Sequence, residues 1–246
     1  LLYGVHVHVG VEDRAKVLPI VNAVLTRQGQ LQALAASSPF WTGQDTGYAS
    51  NRAMVFQQLP TAGLPPQFGD WSELELYHQG MVEVRIFDAC TNILEVEAVA
   101  ALSHSLVEYF SRLYDAGEKL PTLPDWFLSE NKWRSSRYGV DAKLIVDPTG
   151  RQEYVTDTTE RMLEELAPVA LELGCAEGLE KVRTILHYGP SYARQRAVAA
   201  ADPKYALDTV VELMRAEMEH DRPLHPEEFL DERSHLSDRT GAGRLI

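Results

Sequence analysis

Alternating apolar and polar residues predict two strands. Every second residue from position 5 to 11 is valine, and a period of two over residues 2–11 is typical of a strand with one buried face. Residues 81–88 alternate in the same way. We expect the valines and the isoleucine of this second strand on its buried face, and Glu83, Arg85 and Phe87 on the opposite face.

Longer segments place apolar residues at helical spacing. Residues 13–36 predict one helix, and residues 92–114 predict a second helix that begins with Asn92 as its N-cap. Four more helices are predicted over residues 157–173, 177–186, 190–200 and 203–218, the last with an Asp202-Pro203 start. Strands near the start followed by helices predict an α+β fold in which the polar face of a sheet carries a site.

Two segments lack this periodicity. Residues 37–66 are rich in Ser, Gly, Pro, Thr and aromatic side chains, and so long a segment predicts an ordered, functional loop. Residues 220–246 are charged and poorly periodic, which predicts a partly disordered tail. We therefore expect one domain over residues 1–219.

The composition of the chain indicates which binding partners and which cellular environment are to be expected. The 246 residues include 36 acidic and 23 basic side chains, for a net charge of −13, which argues against a general nucleic-acid binder. No apolar run approaches the roughly 18 residues of a membrane span. Two cysteines, far apart, fit a reducing cytoplasm better than a disulfide framework. The oligomeric state is open, and a homo-oligomer is among the options.

Histidines and charged side chains on the polar strand faces suggest chemistry. His6 and His8 are two residues apart on one strand, so both imidazoles project from one face and could share a metal or an anionic ligand. Glu83 suits a hard cation such as Mg²⁺, and Arg85 suits a carboxylate or a phosphoryl group. Solvated histidines and an exposed ion pair, worth about 0–1 kcal/mol, are the alternatives.

Two further segments are candidates for ligand contacts. The loop over residues 37–52 concentrates hydroxyls, amides and glycines, with Arg52 at its end, and could wrap a polar small molecule. Around Arg134 and Arg137, two arginines and a tryptophan could hold phosphates, or could equally cover an acidic protein surface.

Five motifs in order resemble one family. The segments GVHVHVGV, SSPFWTGQDTGYASNR, TAGLPP, VEVRIFDACTN and NKWRSSRYGVD, within roughly residues 2–215, are similar to those of the carboxylate–amine ligases, the type 2 glutamate–cysteine ligase-like enzymes of the glutamine synthetase-like superfamily. The resemblance implies a curved antiparallel sheet with helices on its outer face. It also implies ATP and Mg²⁺ or Mn²⁺ as cofactors. In the implied reaction, ATP phosphorylates the γ-carboxyl of glutamate, and an amine such as cysteine then attacks the acyl phosphate.

The resemblance also implies roles for individual residues. Glu83 and His6 would hold the metal, and His8 would bind the nucleotide. Arg134 and Arg137 match a motif to which we assign nucleotide binding.

The remaining implied roles belong to the reacting groups and the loop. Arg85 would contact the glutamate carboxylate or the transferring phosphoryl group, and Arg52 would contact phosphate. Ser38, Thr46 and Ser50 would donate hydrogen bonds to the substrate.

The sequence departs from the family pattern in two places. The family's paired-glutamate strand does not precede Leu1, and a stretch with a W-x-x-R-P element is missing near Gly80. Either the protein has lost these parts or the sequence omits them, and the well-formed motifs on both sides favour omission.

Two other functions remain open on the sequence. A metal-dependent hydrolase could use the HxH pair if distant His or Asp ligands joined it. A relative that binds nucleotide without turnover would explain the missing glutamates.

Overall fold

A computed structural model describes residues 3–59, 63–65, 67, 70 and 82–240. Over these residues the chain is an α+β protein, as predicted, with small antiparallel sheets among many helices. The strands are β1 (Gly4–Val9), β2 (Phe40–Trp41), β3 (Gln44–Asp45), β4 (Val82–Asp88), β5 (Lys143–Ile145) and β6 (Gln152–Tyr154). The helices are α1 (Arg14–Leu25), α2 (Gln28–Leu34), α3 (Asn51–Phe56), α4 (Ile93–Asp115), α5 (Asp125–Tyr138), α6 (Val155–Glu172), α7 (Ala176–Tyr188), α8 (Ser191–Ala201), α9 (Ala206–His220) and α10 (Pro226–Thr240).

The two predicted strands pair with each other. β1 and β4 are antiparallel, with His8 opposite Glu83 near one end and Val5 opposite Phe87 near the other. The register shifts by one residue between Val5 and Val7, so β4 carries an extra residue there. Such a bulge turns the residues beyond it to the other face. The expectation that Phe87 lies on the polar face is therefore wrong, since its side chain is fully buried.

The core forms around the long helix α4. Leu102, Leu106 and Phe110 of α4 are buried in a cluster with residues of α1, α6, α7 and the β1–β4 pair. The predicted cap of this helix is confirmed, because the Asn92 side chain accepts a hydrogen bond of 2.9 Å from the Glu95 backbone N–H. Burying one apolar face of α4 against the inner face of the strands leaves the opposite strand face free for polar groups.

Several predicted boundaries differ from the structure. The helix expected over residues 13–36 is interrupted after Leu25, where the Thr26 hydroxyl donates to the Ala23 carbonyl at 2.7 Å. Every residue of the second piece, α2, is buried, so its sequence shows no single apolar face. The last of the four predicted helices begins at Ala206 rather than at Pro203. Helix α5 was not predicted, because most of its residues are polar.

The expected disordered tail contains a helix. α10 occupies much of it, and Phe229 is buried with Leu224 against Val198 and Leu213. Arg233 of this helix donates a 2.8 Å hydrogen bond to Asp202, which follows helix α8. Residues 241–246 lie outside the described residues, as do Met81 and part of the predicted loop over residues 37–66.

The described part of the predicted loop is ordered by local structure. It contains the β2–β3 hairpin and helix α3, whose N-cap Ser50 accepts a hydrogen bond from the Ala53 backbone N–H. Among the described residues, we find no helix with the length and apolar character needed to cross a bilayer.

Candidate functional site

The polar face of the β1–β4 pair gathers two imidazoles around one carboxylate. The Glu83 Oε1 atom lies 3.3 Å from His6 Nδ1 and 3.4 Å from His8 Nε2. One ligand atom from each of the three residues lies within 4.8 Å of the others. No other His, Cys, Asp or Glu in the described ranges joins this group. The period of two in β1 and the antiparallel pairing of His8 with Glu83 produce this cluster.

Arg85 lies on β4, the strand that carries Glu83, and joins the cluster by bonding to that carboxylate. Its Nη1 atom donates to both oxygens of Glu83, at 3.1 and 3.3 Å, while half of the Arg85 side chain stays exposed. Burial and the positive charge of Arg85 lower the pKa of His6, against the opposing effect of Glu83. A neutral imidazole retains the lone pair that a metal ligand or a hydrogen-bond acceptor requires.

Arg52 approaches this face from helix α3. Its side chain is 8% exposed, and its Nη1 atom lies 3.7 Å from Oδ1 of Asp88. Burial, more than any neighbouring charge, lowers the pKa of Arg52, and the positive charge of Arg85 contributes in the same direction. Gly4 allows the close approach, because a Cβ at this position would collide with the Arg52 guanidinium and with the Phe87 carbonyl.

Asp88 holds the loop that leads into helix α3, which carries Arg52. Its carboxylate accepts hydrogen bonds from the Ser37 backbone N–H at 3.0 Å, the Ser38 hydroxyl at 2.7 Å and the Ser50 hydroxyl at 2.9 Å. Sequence reasoning assigned no role to Asp88. The bulge in β4 provides the explanation, since a regular strand would have placed residue 88 differently.

The hydroxyls predicted to contact substrate all have partners within the protein. Ser38 and Ser50 donate to Asp88, and Ser50 is fully buried. The Thr46 hydroxyl donates to the Pro39 carbonyl at 2.8 Å and accepts from the Tyr48 backbone N–H at 3.2 Å. These contacts indicate that the three hydroxyls shape the loop. Their roles as substrate ligands remain predictions.

The two arginines of α5 lie apart from the histidine cluster. The Arg137 guanidinium lies over the Tyr48 ring, 5.2 Å from its centroid. Arg134 donates to Glu130 and Gln152, both at 2.8 Å, and lines an open groove of about 470 Å³. Neither arginine pairs with a described residue of the cluster. Their nucleotide-binding roles therefore remain predictions.

Lys132 of α5 is a candidate that the sequence did not reveal. It is 95% buried, and burial, together with the charge of Arg52, lowers its pKa to about 8. The spacing of apolar residues does not predict that Lys132 is buried, because it does not predict helix α5, which carries Lys132 on its buried face.

The strand pair thus has the ligand set of a cation site, with arginine side chains suited to anions beside it. Comparison with known proteins gives the family. The sequence model of the protein family described as "Glutamate-cysteine ligase family 2" matches residues 1–82 and 77–212 of this chain. The chain belongs to this family.

Curated relatives support the same assignment. The chain is 48% identical over 238 residues to a protein of Mycolicibacterium vanbaalenii named "Putative glutamate--cysteine ligase 2-1", an alignment that covers 86% of this chain and 63% of the relative. It is 50% identical over 226 residues to a similarly named protein of Leifsonia xyli subsp. xyli, covering 82% of this chain and 60% of the relative. The chain therefore spans less than two thirds of the length of these relatives.

Proposed function

We propose that this chain contributes the catalytic site of an ATP-dependent ligase that joins a carboxylate to an amine. In this proposal glutamate is activated at its γ-carboxyl as an acyl phosphate, and an amine such as cysteine displaces the phosphate. The observation that carries the proposal is the grouping of His6, His8 and Glu83 within 4.8 Å, with Arg85 bonded to the same carboxylate. Membership in the glutamate–cysteine ligase family supports the reaction class.

The cluster fits a divalent cation. Two imidazole nitrogens and one carboxylate oxygen are donors that Mn²⁺ accepts readily, and the carboxylate suits Mg²⁺. Glu83 and His6 would hold this ion, and His8 would face the nucleotide. When bound, the ion would neutralise phosphate charge, as metal ions do in phosphoryl-transfer enzymes.

The arginines would orient and stabilise the reacting groups. The half-exposed Arg85 can present a guanidinium edge to a carboxylate or to a phosphoryl group. Arg52 is held by α3 and by its ion pair with Asp88, so its charge is fixed in position before a ligand arrives. Preorganised charges of this kind stabilise a transition state without reorganisation during the reaction.

The proposal extends to the fold and the location. It takes the β1–β4 pair as part of the curved sheet of a glutamine synthetase-like domain. It also takes ATP and free glutamate as substrates met in the cytoplasm.

Substrate-dependent ATP turnover tests the proposal. With the full-length gene product and Mg²⁺ or Mn²⁺, release of ADP and phosphate should require both glutamate and an amine, and should fall sharply in Arg85→Ala. Cysteine should be compared with other amino acids as the acceptor. If neither glutamate nor any amino acid raises ATP turnover, the proposal is wrong. Nucleotide binding without turnover would instead indicate a non-catalytic relative.

A further inference from the structure

Lys132 places a positive charge in the protein interior without a matching negative charge. Its side chain belongs to the inner face of α5, which also buries Asn131, Ser135 and Ser136. No described residue forms an ion pair or accepts a hydrogen bond from the Lys132 ammonium group. Partial removal of an unpaired ammonium from water disfavours its charged form, and this effect lowers the pKa of Lys132. Groups perturbed in this way are concentrated at functional sites.

The charged group that acts on the pKa of Lys132 is a second cation. Arg52 lowers the pKa of Lys132, and its own Nε atom is buried without a hydrogen-bond partner. The only carboxylate paired with Arg52 among the described residues is Asp88, which already accepts three hydrogen bonds. Lys132 has no described carboxylate partner, and the one described partner of Arg52 is already engaged, which leaves a local excess of positive charge. This excess stands out in a chain whose net charge is −13.

The cationic pair is connected to the candidate site. The charge of Arg52 acts on both His6 and Lys132, so Arg52 couples the histidine cluster electrostatically to Lys132. Helices α3 and α5 pack directly against each other, which fixes the two cations on neighbouring elements. Their placement would let a ligand bound at the cluster extend an anionic end toward Lys132.

We propose that Lys132 and Arg52 together bind an anionic oxygen group of a ligand, either a phosphoryl group or a carboxylate. This inference rests on the proposed function, since that reaction supplies ligands bearing both groups. Lys132 acts as a binding residue, and the energy that its burial costs the free protein is recovered when the anion arrives.

Two properties separate a ligand-binding lysine from a structural one. Replacing an unpaired buried ammonium by an apolar side chain of similar length removes a desolvation cost, so Lys132→Met should be at least as thermally stable as the wild type. The same variant should bind the anion at least tenfold more weakly. A lysine needed by the fold would show the opposite stability change.

Calorimetric titration of the full-length protein tests the inference. Inorganic phosphate, glutamate and Mg-ATP are titrated separately into the wild type, Lys132→Met, Lys132→Arg and the control Lys119→Met. Lys119 is an exposed lysine that follows helix α4. Weaker binding of phosphate and Mg-ATP in Lys132→Met identifies a phosphoryl site, and weaker binding of glutamate identifies a carboxylate site. Lys132→Arg should keep most of the affinity, and Lys119→Met should match the wild type.

The pH dependence of the affinity for the anion should change only if Lys132 binds the anion, and a purely structural role of Lys132 would leave it unchanged. Arg52 is the charged group acting on Lys132 within the described residues, and it stays protonated throughout. Wild-type affinity for the anion should therefore fall as the pH rises above about 8, whereas the affinity of Lys132→Arg should stay level.

Unchanged affinity for all three ligands in Lys132→Met, or a clear drop in its Tm without ligand, would overturn the inference. If the proposed ligase function is wrong, the experiments would give a different result. The wild type would then lack glutamate-dependent ATP turnover, whatever the effect of the Lys132 variants on phosphate binding.

Discussion

The Asp88 carboxylate offers the sharpest test of how the site is held together. In Asp88→Ala, the Ser37 N–H and the hydroxyls of Ser38 and Ser50 all lose their acceptor, and Arg52 loses its paired charge. We expect a large loss of stability together with displacement of Arg52. A large loss would identify Asp88 as the connection between strand β4 and the loop that precedes α3.

The magnitude follows from what the substitution leaves buried. A hydrogen bond to a charged group contributes about 1.5–3 kcal/mol, and removing one partner of a buried ion pair costs about 3–5 kcal/mol. These terms share one carboxylate and do not add, and the two hydroxyls can rotate toward other acceptors, so we expect about 3–5 kcal/mol in total. Burial raises the pKa of Asp88, which means that its charge is itself costly. Asp88→Asn keeps the shape and one acceptor oxygen, and should lose only about 1–2 kcal/mol.

Urea unfolding followed by circular dichroism measures these differences. Asp231→Ala, which removes an exposed aspartate of α10, is the control and should lie within about 0.5 kcal/mol of the wild type. The order of stability should be control, Asn variant, Ala variant. If Asp88→Ala unfolds within about 1 kcal/mol of the wild type, the hydrogen bonds around Asp88 contribute little and the reasoning fails.

Three further predictions concern the metal cluster, the approach of Arg52 and a surface turn. Glu83→Ala removes the carboxylate of the His–His–Glu group and should weaken Mn²⁺ binding at least tenfold, about 1.4 kcal/mol, in a calorimetric titration. Gly4→Ala inserts a Cβ against the Arg52 guanidinium and the neighbouring strand, and should lower the unfolding free energy by about 1–3 kcal/mol in a urea titration. Hydrogen bonds from Thr149 and Arg151 lower the pKa of the partly exposed Asp147, so this carboxylate stabilises the fold when ionised. The difference in Tm between the wild type and Asp147→Asn should be fully present at pH 6 and should shrink progressively as the pH falls below about 4.

Matched controls and contrary outcomes accompany these three experiments. Glu177→Ala, at a side chain that is 90% exposed, should bind Mn²⁺ as the wild type does. Gly10→Ala should be neutral, because a Cβ there meets nothing within 4 Å. Equal Mn²⁺ affinity without Glu83, equal stability of the two glycine variants, or a Tm difference at Asp147 that grows toward low pH would each contradict the corresponding argument.

The strand pair and its chemistry could be predicted because both depend on a local period. Alternation along residues 2–11 and 81–88 places His6, His8, Glu83 and Arg85 on polar faces, and antiparallel pairing of two short strands then brings them together. The N-cap at Asn92 is equally local, since it needs only a side chain and a backbone N–H three residues later.

Features that depend on tertiary packing could not be predicted in this way. The bulge in β4 changes no residue type, yet it buries Phe87 and lets Asp88 meet the loop hydroxyls. Helix α5 has too few apolar residues for its spacing to show, because its inner face packs through polar side chains such as Asn131, which bonds both the N–H and the C=O of Ile145.

The charge around the candidate site differs from the charge of the chain as a whole. With 36 acidic and 23 basic residues, an average patch of surface should repel phosphates and carboxylates. Arg85 on β4, Arg52 on α3 and Lys132 on α5 nevertheless form a chain of interacting cations, and burial lowers the pKa of Arg52 and of Lys132. Glu83 pairs with Arg85 and Asp88 pairs with Arg52, whereas no described carboxylate pairs with Lys132. The unpaired Lys132 is therefore the feature that the proposed anion binding would explain, and a divalent cation at the proposed His–His–Glu site would allow that anion to carry several negative charges.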